Sequence, residues 1–401
     1  MQLVLYDHAD QRVDLYPLTL TRPIADLRVG ILTIAEKWAK RLSLAHSYWT
    51  AVYLQKKYPL ALAAQEEELL VVSSHICPDN NLCAVIMRLK QGERLVDGQG
   101  LIAVRINRRD FHLGLKNGFA AYLTVPYEGH YTRIQYPEDI FTHNGDEIQK
   151  DFQLLTTGRR SAELDDTVTV LGSNLFVEEG VQATCCTINT LKGPVYLGKH
   201  SEIWEGALIR GPFALGENAQ VKMGAKIYGN VTVGPGSRVG GELNTSVIWG
   251  NSSKGHEGYL GSSVMGEWCN WGADTNTSNL KNNYKNVKLY HYPSKAYRDT
   301  GLQFCGMIMA DHAKSAINTA FNTGTVIGGA ANVFGAVMPP KFIPDFSWGL
   351  GEQAEIYLID KMFETAKLVF AHRNRNFDTI EQDILREIYN VTQSRKIFNN
   401  E

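Results

Sequence analysis

The chemistry-bearing residues of this chain crowd into one stretch. Asn251-Ser-Ser-Lys-Gly-His-Glu-Gly-Tyr-Leu-Gly261 places a single histidine, His256, among flexible glycines, and Asn270 to Lys285 follows with a run of amides and lysines. Lys254, Tyr259, Asn270, Asn279 and Lys285 are its polar neighbours in sequence. An imidazole titrates near neutral pH and can take a proton from a substrate, while lysines and amides hold an anionic group beside it. The inventory therefore suits an anionic substrate that must lose a proton. No nucleophile is needed, and Cys269 falls on an apolar column where a thiol packs as a small hydrophobe.

Such residues need a stiff frame, and the sequence supplies one. Leu197, Ile203, Ile209, Leu215, Val221, Ile227, Val233 and Val239 recur every six residues. Four positions after each comes a second column: Ser201, Ala207, Phe213, Ala219, Ala225, Val231, Ser237 and Leu243. Neither a helical period of 3.6 nor strand alternation gives that spacing; a chain turning a corner every six residues does. The reading is a parallel solenoid of hexapeptide repeats whose stacked coils bury one continuous core. Gly198, Gly216, Gly234 and Gly240 each follow a ladder residue, where a corner calls for positive φ. The ladder frays after Val239, resumes at Met265 and Trp271, and returns after a polar excursion as Met309, Ser315, Phe321, Ile327 and Val333, partnered by residues from Ala313 to Val337. Pro339-Pro340 is expected to close it. From Glu352 the pattern turns helical, predicting two terminal helices that cap the open end or pack on a neighbouring subunit.

Three segments follow: an α/β domain over 1–150, the solenoid over 165–345 and a helical extension over 350–401. With 401 residues, 44% of them hydrophobic, the chain can bury a large core. A formal net charge of −2 gives neither a nucleic-acid footprint nor a polybasic membrane patch. The six cysteines show no C-x-x-C pair and no zinc spacing, so no metal site is expected from them. Met1 to Tyr6 reads as a strand rather than a signal peptide, and no uncharged run approaches spanning length, so a cytoplasmic protein with reduced thiols is expected.

The motif has a family likeness. Lys254-Gly-His-x-x-Tyr-Leu-Gly, then Gly266-x-x-x-Asn-x-Gly-Ala-x-Thr, then Asn279 with Lys285 six residues on, resembles the acetyltransferase half of the bifunctional glucosamine-1-phosphate acetyltransferase / N-acetylglucosamine-1-phosphate uridylyltransferase (GlmU) family. The resemblance implies a left-handed parallel β-helix, a homotrimer, acetyl-CoA as donor and an amino-sugar phosphate as acceptor, in sugar-nucleotide synthesis of the UDP-N-acetylglucosamine type. It makes His256 the catalytic base and puts Tyr259, Asn270, Asn279 and Lys285 against the sugar phosphate or the acetyl-CoA. Lys254 and Arg210 are candidates for gripping phosphate, although two basic positions the family carries before its histidine have no counterpart here. In the coils that receive acetyl-CoA in the family, Ala313, Ala316 and Gly324 are small enough to admit a pantetheine arm and Lys314 could meet its phosphates.

At the other end, Leu15-Tyr-Pro-Leu-Thr-Leu-Thr-Arg-Pro resembles the second half of the sugar nucleotidyltransferase signature. The implied domain is a short Rossmann-type module taking UTP with Mg2+. Its densest polar cluster is Arg22, Asp26, Arg28 and Lys37, and Asp97 and Asn144 are the carboxylate and amide nearest to a metal pattern. Asp7 to Val13 contains no glycine, and Asp14 stands where the signature has arginine. Sugar-nucleotide binding without turnover, as in a sensor or scaffold, is therefore the rival function. A zinc hydratase on a β-helix would need imidazoles converging on one metal; His200, His256 and His312 show no such pattern.

Overall fold

The computed structural model describes residues 1–63, 65 and 67–397. It contains two compact units, one formed by Met1–Leu15, Thr21–Leu27 and Leu32–Gln135, the other by Tyr16–Leu20, Arg28–Ile31 and the chain from Tyr136 onward. The boundary expected near 150 thus falls inside the helix Pro137–Thr156, which packs with the second unit.

The first unit is built on a six-stranded sheet: β1 (Gln2–Tyr6), β2 (His46–Trp49), β3 (Glu68–Ser73), β4 (Glu93–Asp97), β5 (Gly100–Asn107) and β6 (Leu123–Pro126), in the spatial order β2-β1-β3-β5-β4-β6. β1 runs parallel to both β2 and β3 and is buried along its length, as a strand covered on both faces must be. β5 runs antiparallel to β3. The helix Ile34–Leu42 starts on a capping box between Thr33 and Glu36 and buries Trp38, whose indole N–H donates to the Ile76 carbonyl.

The second unit is a parallel β-solenoid of about ten turns. Its first face carries Val195–Leu197, Phe213–Leu215 and Val231–Val233 in register, its second Glu202–Ile203, Gln220–Val221 and Arg238–Val239, and its third Thr187–Asn189, Leu208–Arg210 and Lys226–Ile227. Leu197 pairs with Leu215 and Leu215 with Val233, so three hexads make one coil. All sixteen residues of the two columns from Leu197 to Leu243 are buried. Repeat spacing alone is enough to place them, because each can escape water only by stacking on the next coil.

The glycines after the ladder are needed for a different reason from the one expected. None of Gly198, Gly216, Gly234 and Gly240 has positive φ; a Cβ on Gly216 would lie 2.6 Å from the Pro235 nitrogen and one on Gly234 2.7 Å from the Trp249 carbonyl carbon. They let one coil lie against the next. The left-handed conformations come two residues after the first-face glycines, at His200, Asn218 and Gly236, and Asn251, two residues after Trp249, is left-handed as well.

The array also continues past Pro339-Pro340. Val326 pairs with Phe342 and Asn332 with Trp348, while Val337, expected inside, is 51% exposed. Two terminal helices follow, Ile359–His372 and Thr379–Ile397, the second placing Tyr389 edge-on to Phe346 of the last coil. The first lies along the edge between the first and second faces, where Phe370 stacks on Trp268 with centroids 3.7 Å apart and Arg373 donates to the Gly236 carbonyl. The helix Pro137–Thr156 buries polar side chains: Asn144 accepts from Gly30 N and Thr232 Oγ1 and donates to the Asn230 carbonyl. Asn144 is therefore a structural staple rather than a metal ligand. Among the described residues no helix is long and apolar enough to cross a membrane.

Candidate active site at a broken edge of the solenoid

Where the ladder frays, the winding changes. Val233 pairs with Ile248, a coil three residues short of the regular eighteen, and the strands Glu242–Ile248 and Tyr259–Met265 run through the corner from third face to first. The next coil carries the His256 loop at the edge between the second and third faces, just after the strand Ser253–Lys254. His256 is exposed there. One strand step away, Tyr259 accepts at its hydroxyl from Asn279 Nδ2 (3.0 Å), which also donates to Ser262 Oγ (3.3 Å). The Tyr259 amide donates to Asn276 Oδ1 at 2.8 Å. Both Asn279 amide protons are thus committed, so Asn279 orients Tyr259 and is not the donor for an oxyanion.

Lys254 is not a surface cation. Its side chain is 0% exposed and occupies the ladder position after Val239, with which it pairs in register. The ammonium donates to the carbonyls of Gly240 and His256, each at 2.8 Å. Burial pushes its pKa down to about 8, Glu257 opposing and Lys226 adding to the shift. A charge in an aliphatic column costs stability unless its protons are satisfied. Here they are spent on fixing the backbone of His256. Gly241, at φ +70, makes room: a Cβ would lie 2.8 Å from the Gly258 carbonyl and 2.9 Å from Lys254 Nζ.

The remaining predicted residues divide. Asn270 is exposed on the second face, bridged to Ser253 and Lys314, and so leads into the His256 edge from the other side. Ala316 is exposed on the same edge, where Asn318 N donates to the Ala273 carbonyl. Lys285 is exposed in the inserted segment around the hairpin Lys288–His291/Ala296–Asp299. Arg210 sits three coils from Gly261 on the third face, about 14 Å away at the ~4.8 Å strand spacing, in a groove with Leu171, Leu208 and Tyr228. Ala313 is core, 0% exposed, and cannot touch a coenzyme. The space above Gly324 is filled by the Lys288 carbonyl and Val287. Lys314 turns its ammonium onto the His312 carbonyl, 2.9 Å away. Small size or charge at these three positions serves packing, which period six cannot distinguish from ligand contact. Cys269 is buried with its thiol 3.1 Å from the Ala310 carbonyl, and burial raises its pKa. His200 and His312 lie on the edge between the first and second faces, His312 in the stack with Trp268 and Phe370, so they do not converge with His256.

In the first unit the polar cluster is structural. Arg22 pairs with Asp26 at 3.3 Å, both in and beside the short turn Ile24–Asp26, and Asp26 also accepts from Tyr58 at 2.9 Å. Lys37 is fully buried on the helix Ile34–Leu42. Arg28 belongs to the second unit and donates to the Ile31 carbonyl. A helical turn, Ala9–Asp14, stands where a glycine-rich loop would follow β1. Asp97 is held by Arg133 (3.0 Å) and Tyr131, which keep its carboxyl low against burial.

Comparison with known proteins agrees with this layout. Residues 3–160 match the family model described as sugar nucleotidyl transferase. A segment of 87 residues is 36% identical to the bifunctional protein GlmU of Methanocaldococcus jannaschii, covering 22% of this chain and 21% of that protein. Over 89 residues the chain is 35% identical to GlmU of Methanococcus maripaludis, covering 22% and 20%. Over those segments the chain is similar to GlmU proteins. It spans about a fifth of the length of the curated relatives it matches. Among solved structures, the polysialic acid O-acetyltransferase OatWY overlaps 47% of this chain and 87% of its own at 14% identity and TM-score 0.26. An Arabidopsis UDP-N-acetylglucosamine acyltransferase overlaps 48% and 73% at 18% and 0.21. The strand register given above is what establishes the solenoid.

Two features of this chain are not legible in its sequence. One is the interior place of Lys254, hidden because the short coil breaks the count of six. The other is Asp7, at the carboxyl end of β1, where doubly wound sheets bind their ligands. Its buried carboxylate accepts from Thr50 Oγ1 (2.6 Å) and from Ile24 N, and burial lifts its pKa to about 6 against those hydrogen bonds. The sequence signal was a lone Asp closing an apolar strand. Among the described residues no group of three or more His, Cys, Asp or Glu could hold a metal ion.

Proposed function

We propose that the solenoid edge at His256 is an acetyl-CoA-dependent N-acetyltransferase site acting on an amino-sugar phosphate of the glucosamine-1-phosphate kind. The observation that carries the reading is an exposed imidazole on a loop whose backbone is clamped by a buried ammonium, with the Tyr259–Asn279 pair one strand away. A sugar amine attacks a thioester only as the free base. His256 accepts its proton as the nitrogen bonds to the acetyl carbon; the carbon–sulfur bond then breaks, and coenzyme A leaves as the thiol after taking up that proton. Backbone N–H groups of the edge are the donors left for the tetrahedral oxyanion, since the Asn279 amide is committed. Asn270, Ala316 and Lys285 flank the edge as substrate or donor contacts.

The assembly that suits this site is a homotrimer. Leu171, Leu208 and Tyr228 are 43%, 54% and 53% exposed along the third face, an apolar strip that a second copy would cover. The amino-terminal unit is read as the nucleotidyl-transfer partner, joining a uridylyl group to the acetylated sugar phosphate. The helical turn in place of a glycine loop and the ion-paired Asp97 favour a second reading for that unit, sugar-nucleotide binding without turnover. Among its described residues no group of three or more His, Cys, Asp or Glu could hold a metal ion, and magnesium is read as arriving with the nucleotide phosphates.

The test is a coupled assay with glucosamine-1-phosphate, acetyl-CoA and UTP, scoring free thiol and pyrophosphate separately. His256→Ala should lower thiol release by about 10²–10⁴-fold with an unchanged melting temperature. Unaltered thiol release in that variant would remove the acyltransfer reading. Absence of pyrophosphate from the native protein would leave the first unit a binding domain.

A further inference from the structure

The edge between the first and second faces carries a second polar site, separate from the acyl-transfer edge and independent of that reading. Successive corner turns, Glu217–Asn218, Pro235–Gly236 and Gly250–Asn251, line a cleft of about 550 Å3 together with the end of the helix Ile359–His372. Arg28, Arg238, Arg373 and Arg375 reach it, against Glu217 and Glu267. Two positive charges are left over.

A helix carboxyl end attracts a cation in its last turn, which accounts for Arg373 and its hydrogen bond to the Gly236 carbonyl at 2.6 Å. It does not account for Arg238, which comes from a solenoid strand, or for Arg375, beyond the helix. Among the described residues neither of these meets a carboxylate within ion-pair distance. The cations also repel: burial and then Arg238 lower the proton affinity of Arg373, and Arg238 and Arg373 both act on Lys222. Like charges gathered at a concave, partly buried surface are unfavourable until an anion joins them. Arginine forks from separate segments match phosphate oxygens in geometry, and the volume is in the range that holds a nucleotide.

We propose that this cleft binds the pyrophosphate group of a small molecule, as inorganic pyrophosphate or as a nucleoside di- or triphosphate. The full chain would be titrated calorimetrically with inorganic pyrophosphate, UTP and coenzyme A, beside Arg238→Gln/Arg375→Gln and the single, more exposed Arg375→Gln. Native protein should show a saturable pyrophosphate or nucleotide component that weakens with salt. That component should fall at least about tenfold in the double variant and by a smaller factor in the single one. The ligand-free double variant should melt no lower than the native protein, since two repelling charges are gone. Isotherms that do not differ between native protein and variants would overturn the proposal. So would loss of coenzyme A binding alone, which would make the cleft part of the acyl-donor site.

Discussion

At the scale of single residues, Lys254 puts a charge where the repeat calls for an aliphatic side chain. The column that reads Ile203, Val221, Val239 continues with an ammonium whose protons hold the Gly240 and His256 carbonyls. Lys254→Met would fill the same space without a charge, so it should raise stability by about 1–3 kcal/mol while lowering turnover more than it changes KM. Thermal melts and steady-state kinetics check both halves. The pH dependence has a definite sign. Because the folded-state pKa, about 8, lies below that of a free lysine, the unfolded chain binds more protons between about pH 8 and 10.4. The Lys254 contribution therefore makes native protein gain stability across that window, and the gain should vanish in Lys254→Met. Glu257, Asp274 and Lys226 face the same group and are unchanged by the substitution.

At the scale of the element, the hexad repeats were readable because burial in a stack depends only on spacing. Every ladder residue from Leu197 to Val239 is inside. What spacing does not carry is the reason for each glycine. Gly216→Ala should cost more than 2 kcal/mol, roughly, because its Cβ would meet backbone at 2.6 Å with nothing free to yield. Gly224→Ala meets nothing within 4 Å and pays only for φ +67, about 1 kcal/mol. Urea unfolding of the two variants should rank them in that order. The same holds at Ala313 and Gly324: both are small, and protein fills the space beside them.

At the scale of the whole molecule, the third face leaves Leu208 54% exposed beside Leu171 and Tyr228. Leu208→Asp should hardly alter the melting of a single chain, yet it should shift a trimer to monomer in light scattering. If a neighbouring copy completes the His256 edge, acetyl transfer falls with it. Unchanged mass in that variant would exclude this strip as the interface.

The sequence by itself determined the solenoid, its core columns, the point where it breaks and the histidine placed there, since periodicity and a break in it are one-dimensional facts. It also showed that the first unit lacks a glycine loop. Only the tertiary structure decided that Lys254 is interior, that Asn270 and Tyr259 belong to different faces, that Arg22 and Asp26 pair with each other and that four arginines share one cleft. Those outcomes turn on how many residues each coil contains and on which segments close upon one another. A three-residue shortening between Val233 and Ile248 changes which side chains point inward, and contacts across hundreds of residues leave no local trace in the order of the chain.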